Sequence, residues 1–177
     1  MPSKRYVGLA VVVLTLAWGT SIATAQAPRD DKQESGNQLT LKACGANDKE
    51  VGYTASTDKT THPTPEPPPE MAMIYVLRPT MMGNGIQTKL AVDGEWKGVN
   101  RGNNYFFFPL RPGEHYVCSK AENRSVITIN VEAGKTYYLQ QHITMGVLKA
   151  RNSVDVMKED EAKGKLEKLN LATWKSK

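Results

Sequence analysis

His62, His115, His142, Cys44 and Cys118 are the side chains of this 177-residue sequence best suited to metal ligation or nucleophilic chemistry. A zinc site needs three or four ligands set by spacing or fold. His62 lies in the proline run HPTPEPPPE, and His115 and His142 fall in two separate apolar segments, so no metal site is expected. Cys118 as a nucleophile needs an adjacent base and a lowered pKa. His115, three residues before it in a strand, points to the opposite face and cannot serve. No serine sits in a Gly-x-Ser-x-Gly elbow. Met82-Gly83-Asn84-Gly85 lacks the lysine and following helix of a phosphate loop, so no cofactor is expected either. Glu159, Asp160 and Glu161 suit the first turn of a helix better than paired acid–base work.

The N-terminus decides where such cysteines work. Lys4 and Arg5 precede the apolar run VGLAVVVLTLAW, and Ala23-Thr24-Ala25 offers the small-x-small pattern of signal cleavage. The run is short of the roughly 20 apolar residues of a membrane span. Residues 1–25 are therefore expected to be a signal peptide, with an uncleaved anchor as the alternative. The mature chain is expected to be periplasmic or secreted, with no transmembrane segment. Loss of Lys4 and Arg5 brings the formal charge from +5 to +3, too mild and too scattered for nucleic acid. In an oxidising compartment two cysteines most often pair. A Cys44–Cys118 bond closes a long loop, worth roughly 4–5 kcal/mol by chain entropy. Free or intermolecular thiols are the alternative.

Residues 26–70 are polar and end in prolines, which lack N–H donors and hold the chain extended. They read as a tail and a semi-rigid linker. From residue 71 the texture changes to short apolar runs divided by turns. MAMIYVLRP, QTKLAV, EWKGV, NYFFFPL, GEHYVCSKA, RSVITINVE, KTYYLQQHITM and SVDVM read as strands. Asp93-Gly94 is a two-residue hairpin signal, and Arg111-Pro112-Gly113-Glu114 a turn. In EDEAKGKLEKL, Ala162, Leu166 and Leu169 recur at helical spacing. Residues 71–173 are thus expected to form an antiparallel β-sandwich of seven or eight strands with one C-terminal helix.

Tyr105, Phe106, Phe107 and Phe108 alternate, sending two rings to each face of their strand. One face must be core. The other is either a second buried layer beneath the helix or an exposed patch of Tyr105, Phe107 and Tyr138 for a partner or glycan.

The succession MAMIYVLRP, VDGEWKGV, NNYFFFPLRPGEHYVCSK, NVEAGKTYYLQQHITMG and DEAKGKLEKL resembles an exported bacterial domain family of unknown function. That family shows the order VYVyRP, VDGkkvG, yfvfelpPGkH, eaGKTYYvr and eaeaelakLk. The resemblance runs from Met71 to Leu171. It implies a small β-rich domain of the periplasm or of lipoproteins and transfers no catalytic or binding residue. The early lipid-bearing cysteine of lipoprotein members is missing here.

The reading that follows is a non-enzymatic, exported binding or structural module of the envelope, whose partner is an envelope protein or glycan. A partner could also add a strand to an open sheet edge. The rival is an enzyme whose site gathers Arg78, Glu114, His115 and His142 from separate strands and loops. These two readings differ in one geometric respect: the enzyme needs at least two of the four within hydrogen-bond reach of each other.

Overall fold

The computed structural model describes residues 31–46, 52–80, 82–145 and 150–176. The expected leader, residues 1–25, lies outside them. In chain order the elements are α1 (Asp31–Cys44), β1 (Tyr53–Asp58), β2 (Ala72–Arg78), β3 (Thr88–Val92), β4 (Glu95–Asn100) and β5 (Asn104–Leu110). There follow β6 (Gly113–Lys120), β7 (Arg124–Val131), β8 (Thr136–Met145), β9 (Ala150–Met157), α2 (Glu159–Leu166) and β10 (Asn170–Ser176). The strands form a six-stranded sheet in the order β1-β10-β5-β2-β8-β9 and a four-stranded sheet in the order β4-β3-β6-β7.

The two-sheet β architecture agrees with the sequence, but three details correct it. Ten strands are present among the described residues rather than seven or eight. The larger sheet is mixed: β2 runs parallel to β8, and β10 parallel to β5. The helix expected to close the domain is followed by β10, and a second helix, α1, precedes the described strands. Segments assigned to the tail are also structured, since α1 and β1 both fall within residues 26–70 and β1 pairs with β10 along its length.

Local chemistry sets the hairpins as expected. Asp93 and Gly94 adopt φ of 52° and 81°, the two positive values that the β3–β4 turn requires. Along β7, Ile129 and Val131 are buried while Thr128 and Asn130 face solvent, the period of two of a half-buried strand.

Strand β2 explains the layering. All seven of its residues are buried, so each face must be covered. Ala72, Ile74 and Val76 pack between the sheets with Leu90, Phe106, Phe108, Val117 and Leu139. Met73, Tyr75 and Leu77 point the other way, into a second core with Tyr105, Tyr138, Ala162, Leu166 and Leu169. Helix α2 roofs that second core through Ala162 and Leu166.

The opposite side of the molecule is covered by α1. Its last turn lies on β6 and on the β3–β4 turn, where Gly94 N–H donates to the Ala43 carbonyl at 3.1 Å. Gly45 stops the helix at φ 79°. A Cβ there would meet the Gly94 carbonyl oxygen at 2.7 Å, so the close approach needs glycine. Cys44 and Cys118 are joined across this contact, with Cα atoms 5.1 Å apart and 74 residues of sequence between them. The intramolecular bond is therefore the alternative realised.

Candidate functional site

Proline lacks a backbone donor but keeps its carbonyl, so a proline-rich segment can be held only by donors from elsewhere. Two tyrosines supply them. The Tyr75 hydroxyl donates to the Pro65 carbonyl at 2.8 Å, and the Tyr105 hydroxyl to the Pro63 carbonyl at 2.9 Å. His62 Nε2 donates to the Leu166 carbonyl at the end of α2, 3.0 Å away, and its ring lies 4.9 Å from that of Tyr105. The run expected to be a spacer is thus a strap laid across the second core.

This placement answers the aromatic question. Tyr105 is wholly buried, Tyr138 is 5% exposed and Phe107 is half-buried. Phe106 and Phe108 face the inter-sheet core. The rings of Tyr75 and Tyr138 stack at 5.5 Å and those of Tyr75 and Phe107 meet at 5.6 Å. Tyr105, Phe107 and Tyr138 therefore share one face, as alternation dictates, but that face is a second buried layer and not an open patch.

Between strap and helix the cover is incomplete. A cleft of about 370 Å³ opens there, with Tyr75, Thr136 and Tyr138 as its floor. His62, Thr64, Pro65 and Glu66 form one wall and α2 with Glu167 the other. Its charged residues are Glu66, Glu159, Lys163 and Glu167, and Lys163 is paired with Glu159 at 2.7 Å. Tyr138 has no hydrogen-bond partner for its hydroxyl among the described residues, although the side chain is almost fully buried.

Burial dominates the electrostatics of this layer. It raises the phenol pKa of Tyr75 and Tyr138, and pushes that of Tyr105 up to about 12, with the Asp58 carboxylate adding to the last. An unfolded chain ionises its tyrosines near pH 10. The protonated, folded layer therefore contributes its full stability below about pH 10 and loses it as pH climbs toward the folded value. Urea midpoints measured between pH 8 and 11.5 should fall at the alkaline end. The fall should be shallower in Tyr105→Phe. A midpoint constant across that range would contradict the burial of these phenols.

The four residues of the rival reading are not gathered. Arg78 is fully buried and donates to the carbonyls of Ile86, Met82 and Gly83. His115 meets Asp93 at 2.6 Å through Nδ1 and donates from Nε2 to the Arg111 carbonyl at 2.8 Å. Both ring nitrogens face oxygen, which leaves neither free as a base. His142 accepts from Gln140 at Nδ1, 3.1 Å away, and donates from Nε2 to Asp155 at 2.7 Å. Glu114 accepts from the Tyr116 hydroxyl at 2.9 Å. Each is committed to a separate local partner, and none of these hydrogen bonds joins two of the four.

Sequence reasoning missed the strap and the charged walls of the cleft. A signal existed for the strap: tyrosines at alternate positions of adjacent strands left hydroxyls needing acceptors, and a proline run is rich in unpaired carbonyls.

Fold and cleft together define a two-sheet β domain with a strapped aromatic outer layer. Residues 69–154 match a family described as "Protein of unknown function (DUF2846)", in keeping with the resemblance that the order of motifs carries. A protein of Haemophilus influenzae described as uncharacterized is 27% identical over 100 residues, 56% of this chain. The match spans 60% of that relative's length. No solved structure matches the chain. The family match takes in the cleft floor, Tyr75, Thr136 and Tyr138, and stops short of α2. Among the described residues no helix is long and apolar enough to cross a membrane.

Proposed function

We propose that this is an exported, non-enzymatic binding module of the bacterial envelope that takes its ligand in the cleft between strap and α2. One observation carries the reading: a formed cleft whose floor holds the largely buried Tyr138 side chain, its hydroxyl reaching the cleft with no protein partner among the described residues. A hydroxyl that reaches a cleft without a protein partner is open to a ligand's donor or acceptor. A volume of about 370 Å³ lies toward the small end of ligand sites, suiting a side chain or a small molecule. Export is supported by Lys4, Arg5, the apolar run after them and the small-x-small pattern ending at Ala25. The buried Cys44–Cys118 bond supports it too, because such bonds persist outside the cytoplasm.

The test is a fragment screen read by amide and methyl NMR on the full chain, recovered oxidised from the periplasmic fraction. Hits should converge on Tyr75, Thr136, Tyr138 and Lys163. Hits scattered elsewhere, an absence of hits, or turnover of a fragment would overturn the reading.

A further inference from the structure

Charge narrows what the cleft can hold. Three carboxylates line it, Glu66, Glu159 and Glu167, against the single ammonium of Lys163. That ammonium is held by Glu159 at 2.7 Å. Glu66 and Glu167 have no side-chain partner among the described residues, so two acceptor groups remain uncompensated at the walls. On the floor, the Tyr138 oxygen offers lone pairs to an incoming donor. An anion entering this space meets three carboxylates and one ammonium that is already paired, and an apolar group would offer the hydroxyl no partner. A compact group with several N–H donors and a positive charge meets both needs at once.

The geometry points to an alkylammonium group as the ligand of this cleft, seated on the Tyr138 hydroxyl between Glu66 and Glu167. This rests on the cleft being the binding site. The group is carried either by a lysine side chain of an extended peptide or by a free polyamine. Lys163 then acts as an internal competitor, occupying one of the three carboxylates and setting how tightly an external ammonium is held.

The assignment is tested by titrating the oxidised full chain with N-acetyl-lysine methylamide and with spermidine. N-acetyl-norleucine methylamide, N-acetyl-glutamate methylamide and N-acetylglucosamine serve as comparisons, with the Tyr138 ring signals as readout. Both ammonium probes should bind about ten-fold or more tightly than the uncharged norleucine compound, and more weakly as salt is raised. Glu66→Gln and Glu167→Gln should each weaken them about three-fold. Lys163→Ala should tighten them by a similar factor, an improvement that misfolding cannot imitate. The tighter of the two ammonium probes identifies the source, peptide or free amine. Equal binding of norleucine and lysine compounds, or no gain in Lys163→Ala, overturns the assignment. If N-acetylglucosamine or the norleucine compound alone occupies the cleft, the binding module stands and the ammonium ligand falls. If no probe moves Tyr138, both fall.

Discussion

Replacing Cys44 and Cys118 together with alanine is expected to lower the unfolding free energy by about 4–5 kcal/mol, the chain-entropy value for a loop of this length. The loop spans 74 residues, and both cysteines are buried in a small cluster with Ala43 and Ala91. Alanine suits that apolar setting, so the loss reports the crosslink more than a packing defect. The helix should respond first. A 14-residue helix is marginal alone, and α1 is tied to the sheet by this bond, one backbone contact at Gly94 and a small cluster edged by Trp96, Tyr116 and Val126. Urea denaturation with and without reductant measures the global change, and hydrogen exchange in residues 35–44 the local one. An unchanged midpoint would mean that the bond decorates a helix already fixed by packing.

Arg78→Met should cost about 3 kcal/mol and release the turn that follows β2. The guanidinium is completely buried and paired with no carboxylate among the described residues. What holds it is a set of carbonyls: Gly83 at 2.7 Å, Met82 at 3.3 Å and Ile86. Hydrogen bonds to a charged group contribute about 1.5–3 kcal/mol each, offset here by the cost of desolvating the cation. Methionine matches the volume but takes the guanidinium donors from those carbonyls, leaving Gly83 with the Ile86 N–H alone. Lysine should rescue little, because one ammonium cannot reproduce the planar fork that spans three carbonyls. The readouts are the urea midpoint and amide exchange at residues 82–87. Exchange unchanged in Arg78→Met would show that the turn stands by itself. Burial also depresses the pKa of this guanidinium to about 10, consistent with a cation kept by its acceptors and not by an opposing charge.

Much of the fold is readable residue by residue. The strands from β2 to β9 announce themselves through apolar runs, and Asp93-Gly94 gives the β3–β4 register through its backbone requirements. What sequence does not carry is the identity of non-sequential neighbours. A turn signal couples adjacent strands only, whereas β2 finds β5 on one side and β8 on the other across long intervals. Nothing in the apolar pattern of β8 distinguishes a parallel partner from an antiparallel one. β1, YTASTD, has a single well-buried residue, Ala55, so its composition gives no strand signal. β10 follows a helix within a few residues, and its short NLATWKS run resembles a helix end. For α1, Gly45 after Lys42 is the one local clue, a stop without a convincing amphipathic body before it.

The cleft divides in the same way. Alternation correctly puts Tyr105 and Phe107 on one face of β5, and the second buried layer follows from having more rings than one core can take. Its walls depend on where the strap lands. That is settled by hydroxyl–carbonyl pairs 10 and 42 residues apart in sequence, which no local pattern encodes.

The position of β10 has a temporal consequence. It lies between β1 and β5, antiparallel to the former and parallel to the latter. A ribosome delivers β1 early and must then make every other strand before the one that seats it. Until residues 170–176 emerge, one flank of the large sheet stays unzipped and β1 has nowhere to dock. Such late, long-distance closure slows folding, and it keeps this sheet open until residues 170–176 are made.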